Sequence, residues 1–262
     1  MKKYLLLSAG VLALGLALSG SANAAVSGTL GGSYASGTDS NSASLWNVNG
    51  SLTDTFGSNW GGEVTGGYHN LDDGFGDTLD IWNVGGSLFW ASMQGRIAAT
   101  VNYYSTSIAG FDGHITTYGV GGEWYAGPNF TVAVKGGGDT VSGDLFGTSD
   151  SGGYAGGMLQ WYAMPNLAVS GAVDYAEQFG GHVTSETAKV EWMFSNSMPV
   201  SIYGGYEHAD AGSGGFGVGG DAFFVGLKVY MNGADGGTLV DRQRNGSLGY
   251  IGEAPVLGLS TN

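Results

Sequence analysis

The chain has 262 residues, of which 52 are Gly, none is Cys and 12% are aromatic. Eight Lys and Arg against 22 Asp and Glu leave a net charge of −14, which excludes nucleic acid as a partner, and the lack of cysteine excludes disulfides, thiolate metal sites and a lipoprotein anchor. Glycine-rich disordered chains are poor in Trp and Tyr, so this composition points to sheet broken by many turns.

Residues 1–24 read as a secretory leader. Lys2 and Lys3 form a basic start, Leu5 to Leu18 an apolar stretch, and Ala22-Asn23-Ala24 a small-residue cleavage site. Removing it takes away two lysines, and 6 Lys and Arg against 22 Asp and Glu make the mature chain −16. No later apolar stretch approaches the roughly 20 residues that a membrane helix requires.

From Ala25 onward, short runs alternate small or polar residues with large apolar ones at period two. About twelve are counted, near Ala25-Ala35, Ser44-Phe56, Trp60-His69, Thr78-Trp90, Gly95-Ser105, His114-Tyr125, Phe130-Gly137, Tyr154-Tyr162, Leu167-Ala176, Thr184-Phe194, Pro199-His208 and Asp221-Met231. Most are near the roughly 9 to 11 residues of a tilted transmembrane strand. Tight connections (Gly57 to Asn59, Ala91 to Gln94, Ala126 to Asn129, Ala163 to Asn166, Ser195 to Met198) alternate with longer ones rich in Gly, Asp and Ser. The longer set spans Gly37-Asn41, Asn70-Asp77, Thr106-Gly113, Gly138-Gly153, Glu177-Gly181 and Ala209-Gly220. An even strand number with short turns on one rim and longer loops on the other is the transmembrane up-and-down pattern.

The parity of the side chains is the sharper signal. Strands running toward the tight turns end in Phe56, Trp90, Trp124, Trp161 and Trp192, and those running away end near Tyr34, Tyr68, Tyr103, Tyr175 and Tyr206. Each shares the parity of the apolar residues in its strand, which predicts two aromatic girdles, Trp at one rim and Tyr at the other, around an apolar band. The opposite parity carries Glu63, Arg96, Glu123, Lys135, Asp174, Lys189, Glu191, Glu207 and Lys228. A cation near the midplane of a lipid face costs roughly 2 to 4 kcal/mol, so these nine are expected to line a lumen.

Leader, alternating strands, girdles and acidic Gly-rich loops together make Ala25 to Met231 resemble a small proteobacterial outer-membrane porin. The resemblance is architectural and rests on no single motif. It implies location in the bacterial outer membrane, contact with its lipid and lipopolysaccharide, and passive diffusion of small hydrophilic solutes or ions, with inner charges setting a preference. General porins are larger and end on a terminal aromatic, whereas about thirty residues follow Met231 here. The last strand, with Gly226, Val229 and Met231, resembles loosely and in an internal position the signal by which such barrels engage the barrel-assembly machinery.

Two readings of the inner charges stay open: a transverse field at a constriction, or ion pairs filling a closed structural or surface-recognition barrel, since eight strands are filled by side chains and sixteen leave a channel. Recurrent glycine pairs at mid-strand allow the wall to curve; inner ones would also widen the lumen and outer ones let barrels pack into a homo-oligomer. The tail, residues 233–262, starts on the tight-turn side and holds Arg242 and Arg244, the remaining cations of the mature chain. It is read either as a plug or regulator of the acidic lumen or as a free periplasmic extension.

An enzyme is weighed and set aside. His69, His114, His182 and His208 lie near the long-loop rim with Asp72, Asp73, Asp77, Asp112, Asp210 and Asp221, but only His69 has inward parity. No metal-ligand spacing and no nucleophile signature accompanies them, so a rim hydrolase is the weaker alternative and no metal or cofactor is expected. A strongly negative mouth should favour cations.

Overall fold

The computed structural model describes residues 26–38, 43–72, 78–108, 111–144, 149–178, 181–194, 199–212, 220–231 and 237–255. The expected leader over residues 1–24 and the expected turn Ser195 to Met198 lie outside them, as do Asp73 and Asp77.

The period-two runs form strands β1 (Ser27–Gly37), β2 (Ser44–Phe56), β3 (Trp60–Asp72), β4 (Thr78–Ser92), β5 (Gly95–Ile108) and β6 (Phe111–Tyr125). They continue as β7 (Phe130–Ser142), β8 (Asp150–Met164), β9 (Leu167–Gln178), β10 (Gly181–Met193), β11 (Val200–Ala211) and β12 (Gly220–Met231). Each pairs antiparallel with its chain neighbours, and β1 pairs with β12, so twelve strands close into one barrel. Closure leaves no sheet edge and gives every strand two ladders, the arrangement that satisfies backbone polar groups where water is absent. No helix of the described residues is long and apolar enough to cross a membrane. In the tight turns after β2 and β6, Gly57 and Gly127 take φ of 69° and 83°, a left-handed conformation that favours Gly.

At the long-loop rim the strands run further than the sequence pattern suggests. Ile108 pairs with Phe111, which leaves two residues between β5 and β6, and Gln178 pairs with Gly181, which leaves two between β9 and β10. The expected long loops Thr106-Gly113 and Glu177-Gly181 are therefore mostly strand. Thr106, Ser107 and Asp112 interrupt the apolar alternation in sequence, yet the ladder continues through them, with Thr106 buried and donating to the Asp80 carbonyl at 2.8 Å. The alternation stops before the strand does.

The outward parity carries the large exposed apolar side chains, among them Leu88, Val101, Val120, Val134 (60% exposed), Leu159 and Leu227. A contiguous band of this kind on a monomer marks a surface that water does not face. The tight-turn rim holds Phe56, Trp60, Trp90, Trp124, Trp161 and Trp192. The opposite rim is less sorted than expected: Trp46 packs on Tyr68 at 5.2 Å and Trp82 on Tyr103 at 5.5 Å between ring centroids. Trp and Tyr share that girdle because both present an apolar body and a polar tip.

Beyond the barrel, helix α1 (Leu239–Asn245) and a single 3-10 turn (Gly249–Gly252) form a compact segment. Thr238 caps α1 by accepting a hydrogen bond from the Asp241 amide at 3.2 Å. The Leu239 amide donates to the Pro165 carbonyl at 2.8 Å, in the tight turn between β8 and β9. From there the segment runs against inward-facing side chains, burying Leu239, Leu248, Tyr250, Ile251 and Ala254.

Candidate functional site

On the inner face of the barrel wall, register explains which ionisable residues meet. Arg96 of β5 stands directly opposite Glu123 of β6, and its Nε and Nη2 donate to one carboxylate oxygen at 2.9 and 2.7 Å. Lys135 of β7 and Asp174 of β9 are separated by a whole strand, yet their charged atoms lie 3.1 Å apart. They meet across Gly156 of β8, which pairs with both; a Cβ there would stand 2.1 Å from Asp174 Oδ1. Glu63 of β3 accepts from Thr53 Oγ1 at 2.8 Å. Glu191 of β10 accepts from Ser201 Oγ and Tyr230 Oη, each at 2.6 Å. Lys189 and Lys228, from β10 and β12, flank Tyr203 of β11, with their ammonium groups 5.8 and 5.6 Å from its ring centroid. Glu207 has the same inward parity on β11 and is half-buried.

Several of these groups bind the C-terminal segment as well as the wall. The Arg96 guanidinium donates to the carbonyls of Gly246, Gln243 and Ser247 at 2.8, 3.0 and 3.2 Å. Glu63 accepts from the Leu248 amide at 2.9 Å, and Gln243 donates to Glu191 at 3.2 Å and bonds Gln160. Tyr250 Oη donates to Asp174 at 2.9 Å while Lys135 Nζ sits 3.9 Å from the centre of its ring. Burial first, and the Asp174 carboxylate second, push the Tyr250 phenol well above its ordinary value, so it remains a donor. Charge-assisted bonds of this sort contribute about 1.5 to 3 kcal/mol each, which makes the segment a specific tenant of the lumen.

Arg242 and Arg244 act differently from a simple basic insert in an acidic space. Arg244 donates to the carbonyls of Phe130 and Gly127 at 2.7 and 3.0 Å and lies over the rings of Tyr125 and Tyr162, all at the tight-turn end. Arg242 has its Nε buried without a partner. Among the described residues neither forms an ion pair within 4.0 Å.

Inward apolar residues were not anticipated from the sequence. Ile81, Tyr104, Ile115, Val141, Tyr154 and Ala176 cluster with Ala254 of the tail, and Phe89, Ala98 and Ala133 cluster with Leu248, Tyr250 and Ile251. Their signal was present: Ile81, Phe89, Ile115 and Val141 break the polar parity of their strands. Inner glycines form the seat. A Cβ at Gly121 would approach Ile251 Cβ to 2.7 Å, and one at Gly156 would approach Tyr250 Oη to 2.4 Å. Between the tail and the wall lies a cavity of about 110 Å³, reaching β1 to β4 on one side and β9, β10 and β12 on the other.

At the long-loop rim, His114, His182 and His208 face outward. His114 Nδ1 lies 2.8 Å from Tyr103 Oη, His182 stacks on Tyr175 at 6.0 Å, and His208 Nδ1 lies 2.8 Å from Asp221, which also accepts from Tyr206. They belong to the girdle. His69 alone faces inward and is buried. Among the described residues no group of His, Asp and Glu is arranged to hold a metal ion.

No protein-family model and no curated protein matches the chain. Among solved structures it is similar to the KdgM porin in complex with disordered oligogalacturonate, with TM-score 0.54, 10% identity and coverage of 78% of this chain and 98% of that one. It is also similar to the COG4313 outer membrane channel from Pseudomonas putida F1, with TM-score 0.56, 11% identity and coverage of 79% and 94%. At these identities the likeness shows a shared barrel fold.

Proposed function

We propose that this chain is an outer-membrane channel of porin type for small hydrophilic solutes or ions, held shut by its own C-terminal segment. The observation that carries the reading is the division of labour around the wall. Outward residues form a band suited to lipid tails, and inward ones form a polar, ionised face whose hydrogen bonds are completed by a separate segment entering from one end. Fold similarity to solved porins and channels supports the same reading. The cavity of about 110 Å³ is below the roughly 300 Å³ at which ligand pockets begin, so passage of a sugar-sized solute requires the segment to leave or shift.

Acidic residues of the long-loop rim, with Asp150 at an inward position of β8, supply the cation preference at the entry. A second reading, a permanently closed structural or recognition barrel, is favoured by one observation, the apolar cluster of Ile81, Tyr104, Ile115 and Tyr154 inside the lumen. Planar-bilayer recording of the whole chain beside a version truncated after Asn232 separates the two. The channel reading expects rare openings from the first and sustained conductance from the second; silence from both supports the closed barrel, and identical conductance and voltage gating removes the plug.

A further inference from the structure

The C-terminal segment can be followed level by level along the barrel. Leu239 clusters with Tyr162, Ala168, Met193 and Tyr230, each within two residues of the tight-turn end of its strand. Arg244 bonds the Gly127 and Phe130 carbonyls, and Phe130 stacks at 6.5 Å on Trp161 of the girdle at that rim. Higher up, Leu248 meets Glu63, and Tyr250 meets Asp174 and Lys135. The Gly252 carbonyl accepts from Asn102 Nδ2 at 3.4 Å. Ala254 then joins Ile81, Tyr104, Ile115, Val141, Tyr154 and Ala176. Three of these adjoin the opposite girdle in sequence: Ile81 precedes Trp82, Tyr104 follows Tyr103 and Ala176 follows Tyr175. Residues 239–254 thus pass from one aromatic girdle to the other.

Length and backbone give an independent indication. Leu239 and Arg244 both lie at the tight-turn rim, so the climb falls to the residues from Gly246 to Ala254. The four in the 3-10 turn rise about 8 Å and the remainder up to about 17 Å, together about the 25 Å height of the lipid-facing band of such barrels. Nor does the chain turn back at the far end. Glu253, which follows the 3-10 turn, is extended, with φ −122° and ψ 139°. Ala254 precedes Pro255, whose ring disfavours helical backbone at the residue before it. The chain therefore reaches Pro255 still heading for the long-loop mouth.

We infer that this segment is a transmembrane element threaded through its own barrel, and that the chain beyond Pro255 is presented at the long-loop mouth, on the outer surface of the cell. The barrel then serves as the anchor of a C-terminal peptide displayed to the outside. The inference rests on the docked tail of the proposed channel and does not require conduction.

Single cysteines test it, because the chain has none of its own. Each full-length variant is produced in the outer membrane of intact cells and treated with a maleimide joined to a polymer too large to pass a barrel, before and after that membrane is opened. Asp144→Cys, exposed beyond β7 at the long-loop rim, and Ser58→Cys, exposed in the tight turn after β2, report the two faces. The expected result is that Asn262→Cys reacts in intact cells to the same extent as Asp144→Cys, whereas Ser58→Cys reacts only after opening. Reaction of Asn262→Cys only after opening, or on neither face, overturns the threading; Ser260→Cys, read in the same way, decides if the first variant does not reach the membrane. Bilayer conductance is a separate measurement. Outside labelling on a barrel that stays silent even when truncated after Asn232 refutes the channel and keeps the threading. A truncated barrel that conducts, with Asn262→Cys reacting only after opening, refutes the threading and keeps the channel.

Discussion

Replacing Gly121 by Val isolates the docking of the tail from the integrity of the barrel. Gly121 lies inward on β6, between Ala98 and Lys135, and a Cβ there comes within 2.7 Å of Ile251 Cβ and 3.1 Å of the Ile251 carbonyl oxygen. Carbon atoms pack at about 3.5 to 4.0 Å, so Ile251 must leave its seat. Ile251 is 2% exposed when docked; returning its side chain to water forfeits roughly 1.5 to 3 kcal/mol, which shifts the docking equilibrium by roughly tenfold to a hundredfold. Valine suits a strand, so closure of the barrel should survive. Trypsin reads the outcome cleanly, because after the leader the only Lys and Arg outside the strands are Arg242 and Arg244. The variant should be cut in the tail roughly tenfold to a hundredfold faster than the wild type, and its bilayer conductance should rise in parallel. An intact barrel with unchanged cleavage and conductance would refute the reasoning.

Other expectations follow from the same geometry. Tyr250→Phe removes the 2.9 Å bond to Asp174 but leaves Lys135 on that carboxylate; cleavage of the tail should accelerate by the equivalent of about 1.5 to 3 kcal/mol, and no acceleration would mean that the bond does not hold the tail. The Tyr250 phenol is raised on docking, so its contribution is complete below the free phenol value of about 10 and is lost as pH rises through the higher docked value; trypsin protection should be flat up to about pH 10 and fall only above it. Arg96→Gln strands Glu123 and three tail carbonyls, and the loss of about 3 to 5 kcal/mol should lower the urea midpoint of unfolding; an unmoved midpoint contradicts the pairing. Spin labels at Val101 and Val134, 51% and 60% exposed, should relax with lipid-soluble oxygen and not with a water-soluble agent; the reverse would end the membrane reading. Reversal potentials of the open channel should favour cations at low salt and approach neutrality toward 1 M, where the Debye length is about 3 Å; a preference for chloride at low salt would contradict an acidic entry.

Strand number, antiparallel order and the division into an outer and an inner face were legible in the residues themselves. Lipid imposes a local rule, apolar out and ionised in, and a strand applies it at every second position, so Leu88, Val101 and Val134 on one parity and Glu63, Arg96 and Lys135 on the other needed no knowledge of neighbours. Where that rule lapses, legibility lapsed with it: Thr106, Ser107 and Asp112 look like loop but pair as strand, and Trp46 and Trp82 join a rim that seemed reserved for Tyr. The interior belongs to tertiary structure. That Lys135 reaches Asp174 depends on the missing side chain of Gly156 one strand away, and that residues 237–255 fill the lumen depends on Gly121, Glu63 and Arg96 converging from three separate strands. The tail contacts join positions more than a hundred residues apart, and no periodicity along the chain encodes them or the Lys135–Asp174 pair.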